Sequence, residues 1–90
     1  MKLTNKQIRT QVATLDGWRL RGKRISKFFV FEDFMQGVRF LNRVAKLAEA
    51  MNHHPDIDIR YNKIKLSLTT HDEGGLTMRD FKLARNIDRM

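Results

Sequence analysis

The sequence has no cysteine, one proline and five glycines among its 90 residues. Without cysteine there can be no disulfide, thiolate zinc site or thiol nucleophile. No stretch approaches the roughly 20 apolar residues that a membrane span needs. The start, Met1-Lys2-Leu3-Thr4, has no apolar run behind it, so we expect no signal peptide and a soluble, cytoplasmic protein. The length predicts a single domain over residues 1–90 with a small core.

Acidic residues are few relative to basic ones: 10 Asp and Glu stand against 18 Lys and Arg, a formal net charge of +8. Basic residues crowd one early segment and recur at helical spacing in the middle of the chain: Arg19, Arg21, Lys23, Arg24 and Lys27, then Arg39, Arg43 and Lys46. Such a surface can bind nucleic acid or other anionic partners. No zinc-finger, RNP or glycine-loop pattern accompanies the charge. We therefore favour a solvated surface and keep nucleic acid as a less favoured partner.

The hydrophobic periodicity predicts the element order α-β-β-α-β-β-α. A capping-box pattern at Thr4 and Gln7 opens the first helix, Asp33 caps a long helix over about residues 33–52, and Thr77 caps the last. Alternating or continuous apolar runs predict four strands, at about residues 18–21, 25–31, 57–61 and 64–69. We place a tight turn at Asn62-Lys63. The predicted fold is α+β, a four-stranded antiparallel sheet with helices packed on one face.

The second predicted strand is apolar on both faces, in the run Phe28-Phe29-Val30-Phe31. A strand of this kind is buried on both sides, which requires a second layer or a subunit partner. We therefore expect a homodimer or homotetramer, with contacts through this strand or through the long helix.

Two of the only three histidines stand beside the only proline, in His53-His54-Pro55. Histidine titrates near neutral pH, so a cluster can hold both an acid and a base. Pro55 ends the helix and forces a bend. Glu49 lies one turn before His53 and can orient its ring, and His71 is expected on the polar face at the end of the last strand. We interpret these residues as a candidate active site.

Each candidate also has a purely structural interpretation. The histidine pair can favour the negative end of the helix dipole, and His71 can be a surface strand residue. Glu49 can be a solvated residue paired with Lys46, and Asp80, three residues after Thr77, can complete a helix cap or position His71. Adjacent histidines seldom ligate one ion and no fourth ligand is spaced for it, so we expect no metal. We also expect the histidines to be exposed, so that their truncation hardly changes stability.

These residues form a spaced pattern that resembles the pterin-4a-carbinolamine dehydratase family. The pattern is Glu49, three residues, His53-His54-Pro55, five residues, Tyr61, nine residues, His71, eight residues and Asp80. The similarity extends from about Trp18 to Ile87 and includes Tyr61-Asn62-Lys63, Leu68-Thr69-Thr70-His71 and the entry to the long helix at residues 31–34. The chain departs from many animal members in having Ile57-Asp58 where they carry two aromatic residues, and in having Asn52 before the histidine pair. Relatives that act as ribulose-bisphosphate carboxylase assembly factors lose the histidine pattern, which this chain keeps.

The resemblance implies a hydro-lyase that dehydrates 4a-hydroxytetrahydropterin to the quinonoid dihydropterin, in the recycling of tetrahydrobiopterin after an aromatic amino acid hydroxylase has acted. It implies His53 and His54 as the acid–base pair, with His71 at the 4a side of the pterin, and no metal or redox cofactor. The residues that would bind or orient the substrate are Glu49, Pro55, Thr70, Asp72 and Asp80, with the main chain of 70–72 receiving the pterin ring. The alternative is a non-catalytic binding or dimerisation cofactor, or a nucleic-acid-associated protein that uses the basic face.

Overall fold

The computed structural model describes all 90 residues, and its elements follow the predicted order. The helices are α1 (Asn5–Ala13), α2 (Phe34–Met51) and α3 (Met78–Asp88). The strands are β1 (Arg19–Arg21), β2 (Arg24–Val30), β3 (Asp56–Arg60) and β4 (Lys63–Leu68), followed by a 3₁₀ turn, His71–Glu73. The α+β fold class and the α-β-β-α-β-β-α order are confirmed. None of the helices combines the length and apolar character that crossing a membrane requires.

Side-chain caps explain where the helices begin. The Thr4 hydroxyl accepts the main-chain N–H of Gln7 at 3.2 Å, and the Gln7 side chain accepts the Thr4 N–H at 2.8 Å. Asp33 accepts the N–H of Gln36 at 2.8 Å at the start of α2. These contacts satisfy N–H groups that have no partner within the helix. All three predicted caps, including Thr77 at α3, are present.

The sheet is antiparallel throughout, in the order β1-β2-β4-β3, so β2 and β4 are the inner strands. Their helix-facing side chains Ile25, Ile64, Leu66 and Leu68 are fully buried. The core is completed by residues of the helices, among them Phe40, Val44, Phe81 and Leu83. A Cβ built on Gly37 would lie 3.4 Å from Ile64 Cδ1, so glycine at this position lets α2 approach β4 closely.

No helix covers the other side of the sheet, which we call the open face. The strand register assigns its side chains: Arg19 and Arg21 from β1; Arg24, Ser26, Phe28 and Val30 from β2; Lys63, Lys65 and Ser67 from β4; Asp56, Asp58 and Arg60 from β3. At its centre the Ser26 and Ser67 hydroxyls are 2.9 Å apart and buried.

The expectation that β2 is buried on both faces is wrong within one chain. Phe29 and Phe31 pack against Phe40, with ring centroids 4.8 and 5.0 Å apart, but Phe28 and Val30 are each 66% exposed on the open face. Because β2 is hydrogen-bonded on both edges, a partner can reach it only through that face. The expected self-association therefore stays a prediction.

The turn between β3 and β4 lies one residue earlier than predicted. Arg60 pairs with Lys63, so Tyr61 and Asn62 form the turn, and Tyr61 has a φ of 52°. Asn62 is held in place because its carbonyl accepts the Phe31 N–H at 2.9 Å and its side-chain amide donates to the Phe31 carbonyl at 2.8 Å. The alternation of Ile57, Ile59 and Tyr61 in the sequence extended the predicted strand to Tyr61, because the contacts of Asn62 with Phe31 cannot be read from the sequence.

Candidate active site

The end of α2 separates the two adjacent histidines. Asn52 adopts the left-handed conformation, with φ 49° and ψ 43°, and its N–H bonds back to the carbonyls of Ala48 and Glu49. The N–H of His53 also reaches the Ala48 carbonyl, at 3.0 Å. Asparagine tolerates this conformation better than most residues, and the resulting reversal ends the helix. His53 then turns into the protein while His54 stays at the surface.

His53 is 7% exposed and belongs to a buried network at the start of α3. Its Nε2 lies 2.5 Å from Oδ1 of Asp80, which is fully buried. The other Asp80 oxygen accepts the Thr70 hydroxyl at 2.8 Å and the Thr77 N–H at 2.9 Å. Because an ionised carboxylate only accepts hydrogen bonds, His53 donates from Nε2.

The second ring nitrogen of His53, Nδ1, has no hydrogen-bond partner in the protein. Every side-chain nitrogen or oxygen that is closed off from solvent has such a partner, so Nδ1 keeps some contact with solvent. With Nε2 engaged by Asp80, Nδ1 is the atom through which His53 can exchange a proton with a bound molecule.

His54 is the histidine that pairs with Glu49. Its Nε2 lies 2.5 Å from Glu49 Oε2, and the two side chains are 54% and 77% exposed. The expected pairing of Glu49 with His53 is therefore wrong, because the left-handed Asn52 rotates His53 away from the helix face that carries Glu49. The alternative partner, Lys46, forms no ion pair with Glu49. His54, too, keeps Nδ1 free.

His71 lies just beyond the strand on which it was expected. β4 ends at Leu68, and His71 opens the 3₁₀ turn with an exposed side chain. It lines a recess of about 240 Å³ together with Lys23, Arg24, Thr69 and the two glycines 74 and 75. Two cationic side chains therefore lie beside this histidine, which the sequence did not indicate.

The other residues expected to bind or orient the substrate lie partly in the buried network and partly at the surface. The Thr70 N–H donates to the Gly75 carbonyl at 3.2 Å, and the Thr70 hydroxyl donates to Asp80. Reception of the pterin ring by the main chain of 70–72 stays a prediction. Asp80 completes the cap of α3, which is one of the two roles expected for it, and it contacts His53 rather than His71. Asp72 is exposed and pairs with Arg79 at 3.4 Å. Pro55 separates His54 from β3.

The sheet topology brings the two histidine segments to one end of the molecule. Asp56 at the start of β3 pairs with Ser67 near the end of β4, so the residues before β3 and those after β4 share that end. The Asp80–Thr70 bond then links His53 to the residue that precedes His71. Thr77, expected only as a cap, is part of this network, since its hydroxyl is 2.9 Å from that of Thr70. No three His, Asp or Glu side chains form a group able to hold one metal ion.

The chain matches a known family of proteins over its whole length. The family model described as pterin 4 alpha carbinolamine dehydratase matches residues 1–90. The chain therefore belongs to the pterin-4a-carbinolamine dehydratase family, as the spaced motif indicated.

Individual relatives agree with this assignment. A protein of Sulfurisphaera tokodaii, provisionally named a pterin-4-alpha-carbinolamine dehydratase, is 51% identical over 89 residues, covering 99% of this chain and 96% of the relative. The crystal structure of a transcriptional coactivator/pterin dehydratase from Brucella melitensis is similar with a TM-score of 0.94 and 34% identity, over 99% and 97% of the two chains. A pterin dehydratase-like protein identified as a RuBisCO assembly factor in the alpha-carboxysome is more distant, with a TM-score of 0.69, 26% identity and coverage of 81% and 87%.

Proposed function

We propose that this protein is a hydro-lyase that converts 4a-hydroxytetrahydropterin to quinonoid dihydropterin by histidine acid–base catalysis, in tetrahydrobiopterin recycling in the cytoplasm. The observation that carries the proposal is the pairing of each adjacent histidine with its own carboxylate, His53 with Asp80 and His54 with Glu49. Both pairings engage Nε2 and leave Nδ1 for the substrate.

The reaction needs one proton donor and one proton acceptor. The 4a-hydroxyl leaves as water after it receives a proton, and N5 gives up its proton as the C4a–N5 double bond forms, so one water is lost in all. Two histidines with free Nδ1 atoms supply this chemistry near neutral pH. The residues do not need a metal or redox cofactor for either proton transfer.

The two histidines have different surroundings, which fit different roles in the reaction. His53 is nearly buried and held by a fully buried carboxylate, which makes it the more rigid group. His54 is half exposed and paired with an exposed carboxylate, so it is free to exchange protons with water between turnovers. His71, which follows Thr70 and shares a recess with Lys23 and Arg24, would bind the 4a side of the pterin and help to deliver or remove a proton there.

The test is dehydration of 4a-hydroxytetrahydropterin by the purified protein, followed by absorbance in a stopped-flow instrument against the uncatalysed reaction. We expect acceleration without added metal, unchanged after treatment with a chelator. Activity that disappears with chelator and returns with zinc would contradict the cofactor-free mechanism.

A binding role is the second candidate, because one structurally similar protein is described as a transcriptional coactivator/pterin dehydratase and another as a RuBisCO assembly factor. A pure scaffold has no need for two histidine–carboxylate pairs. Absence of any dehydratase activity in a folded sample would favour the binding role.

A further inference from the structure

The open face of the sheet carries a concentration of positive charge, of which only Arg24 also borders the His71 recess of the candidate active site. Six cations project from it, against the two carboxylates of Asp56 and Asp58. These carboxylates pair with Arg24 at 3.5 Å and Arg60 at 3.2 Å. The remaining four cations form no ion pair with an acidic side chain: Arg19, Arg21, Lys63 and Lys65.

An aromatic ring stands in the middle of these cations. Phe28 is 66% exposed on an inner strand, and its cross-strand neighbour Lys65 places Nζ 5.6 Å from the ring centroid. Two recesses meet at Phe28: one of about 550 Å³ reaches Arg19 and Arg21, and one of about 330 Å³ reaches Arg60 and Lys63. A solvated sheet face does not require an exposed phenyl ring, since exposing the ring forgoes the free energy of burying its apolar area.

We propose that the open face binds single-stranded nucleic acid, with a base stacked on Phe28 and phosphates on the flanking lysine and arginine side chains. A single strand offers the two chemistries that this face complements, an unpaired aromatic base and a regularly spaced negative charge. A double helix hides its base faces, and an acidic protein surface has neither the regular spacing nor the stacking partner. Four strands about 4.8 Å apart give a face about 14 Å wide, which accommodates a few nucleotides.

The proposal predicts separate effects for the ring and for the charges. Binding of a fluorescently labelled oligothymidylate of about 12 nucleotides is measured by anisotropy at several salt concentrations. Phe28→Leu, which keeps an apolar side chain but removes the aromatic ring, should weaken binding about 5- to 150-fold without changing the salt dependence, whereas Phe28→Tyr should bind like the unchanged protein. Lys63→Gln/Lys65→Gln should make the negative slope of log K against log salt less steep by about 1.4, at about 0.7 for each lost phosphate contact.

A matched control separates this face from the overall charge of +8. Arg39→Gln/Arg43→Gln also removes two positive charges, but from the exposed side of α2, in the helical layer. We expect this control to change the affinity and the salt slope by less than about a quarter of the changes that Lys63→Gln/Lys65→Gln causes. Dehydratase activity of the Phe28 variants should be unchanged, since this ring is not part of the histidine site.

Four results would overturn the proposal. They are no binding at low salt, equal binding of Phe28→Leu and the unchanged protein, equal losses for the lysine and α2 arginine pairs, and duplex binding as tight as that of the single strand. A change of oligomeric state in Phe28→Leu, measured by light scattering, without a change in oligonucleotide affinity would show that the face is an interface between copies of this chain.

Discussion

Single residues explain why the two neighbouring histidines have different environments. Asn52 in the left-handed conformation directs His53 toward Asp80 and leaves His54 beside Glu49. The sequence predicted that the histidines, Glu49 and Asp80 belong together, but it paired Glu49 with the wrong ring. The direction of a side chain after a helix end depends on the φ and ψ of one residue, and neither spacing nor composition reveals it.

The burial of His53 also changes what its replacement should do. We expected an exposed histidine, but Asp80 is fully buried and relies on His53 for one of its bonds. His53→Ala should therefore destabilise the protein by about 1–3 kcal/mol, whereas His54→Ala and His71→Ala should cost less than about 0.5 kcal/mol. Urea denaturation of the three variants checks this difference. Equal stabilities of all three would show that the His53–Asp80 bond contributes nothing.

Asp80 should act on catalysis through His53. Asp80→Asn preserves the shape of the side chain but replaces an acceptor by an amide that donates, which favours the tautomer of His53 with its proton on Nδ1. We expect kcat to fall about 10²- to 10⁴-fold, by analogy with a carboxylate that orients a catalytic histidine. Glu49→Gln is the matched change at the exposed pair and should cost less than about fivefold, since exposed ion pairs contribute about 0–1 kcal/mol. Equal losses in the two variants would contradict the more important role of Asp80.

At the scale of helices and strands, the sequence predicted most of the fold. The caps at Thr4, Asp33 and Thr77 and the alternation through Ile64, Leu66 and Leu68 are local signals, and each element they indicate is present. The turn after β3 was misplaced because its position depends on contacts between Asn62 and Phe31. The environment of β2 was mistaken for a similar reason, since strand order determines which faces are covered.

Substitutions of Asn52 test whether the left-handed turn at the end of α2 supports both the fold and the histidine pair. Asn52→Gly should keep or slightly raise stability, because glycine adopts a φ of 49° without strain. Asn52→Val should lower stability by about 1–2 kcal/mol, since a β-branched residue is strained in the left-handed conformation. Thermal unfolding measures the stability, and dehydratase activity below the melting temperature reports on the histidine pair. A valine variant as stable as the glycine variant would show that the turn does not need this conformation.

The whole molecule leaves apolar side chains exposed on the helix side of the sheet as well as on the open face. Ile57 and Ile59 on the edge strand β3 are 44% and 36% exposed, and Phe34 and Met35 at the start of α2 are 46% and 54% exposed. Ile59 pairs with Ile64, and Ile64 packs against Gly37 near the start of α2. The exposed apolar side chains of β3 and of the start of α2 are therefore close to each other. A chain of 90 residues gains stability by burying such surface against a second copy.

We therefore expect a dimer or tetramer formed through the helical layer, beside α2. Light scattering at tens of micromolar should give a multiple of the 10.7 kDa chain mass. Ile59→Lys should shift the distribution toward the monomer, whereas Phe28→Leu on the open face should not. A monomer at this concentration would contradict the prediction.

The proposed proton transfers by His53 and His54 are tested most directly by one double variant. His53→Gln/His54→Gln keeps a side-chain N–H that can donate to Asp80 and Glu49 but cannot exchange a proton near neutral pH. We expect this variant to fold like the unchanged protein and to lose nearly all acceleration of 4a-hydroxytetrahydropterin dehydration, with each single variant losing about 10²- to 10⁴-fold. The loss in the double variant should be smaller than the product of the single losses, because both groups act in one reaction. A folded double variant with full dehydratase activity would show that the two histidines do not carry the reaction.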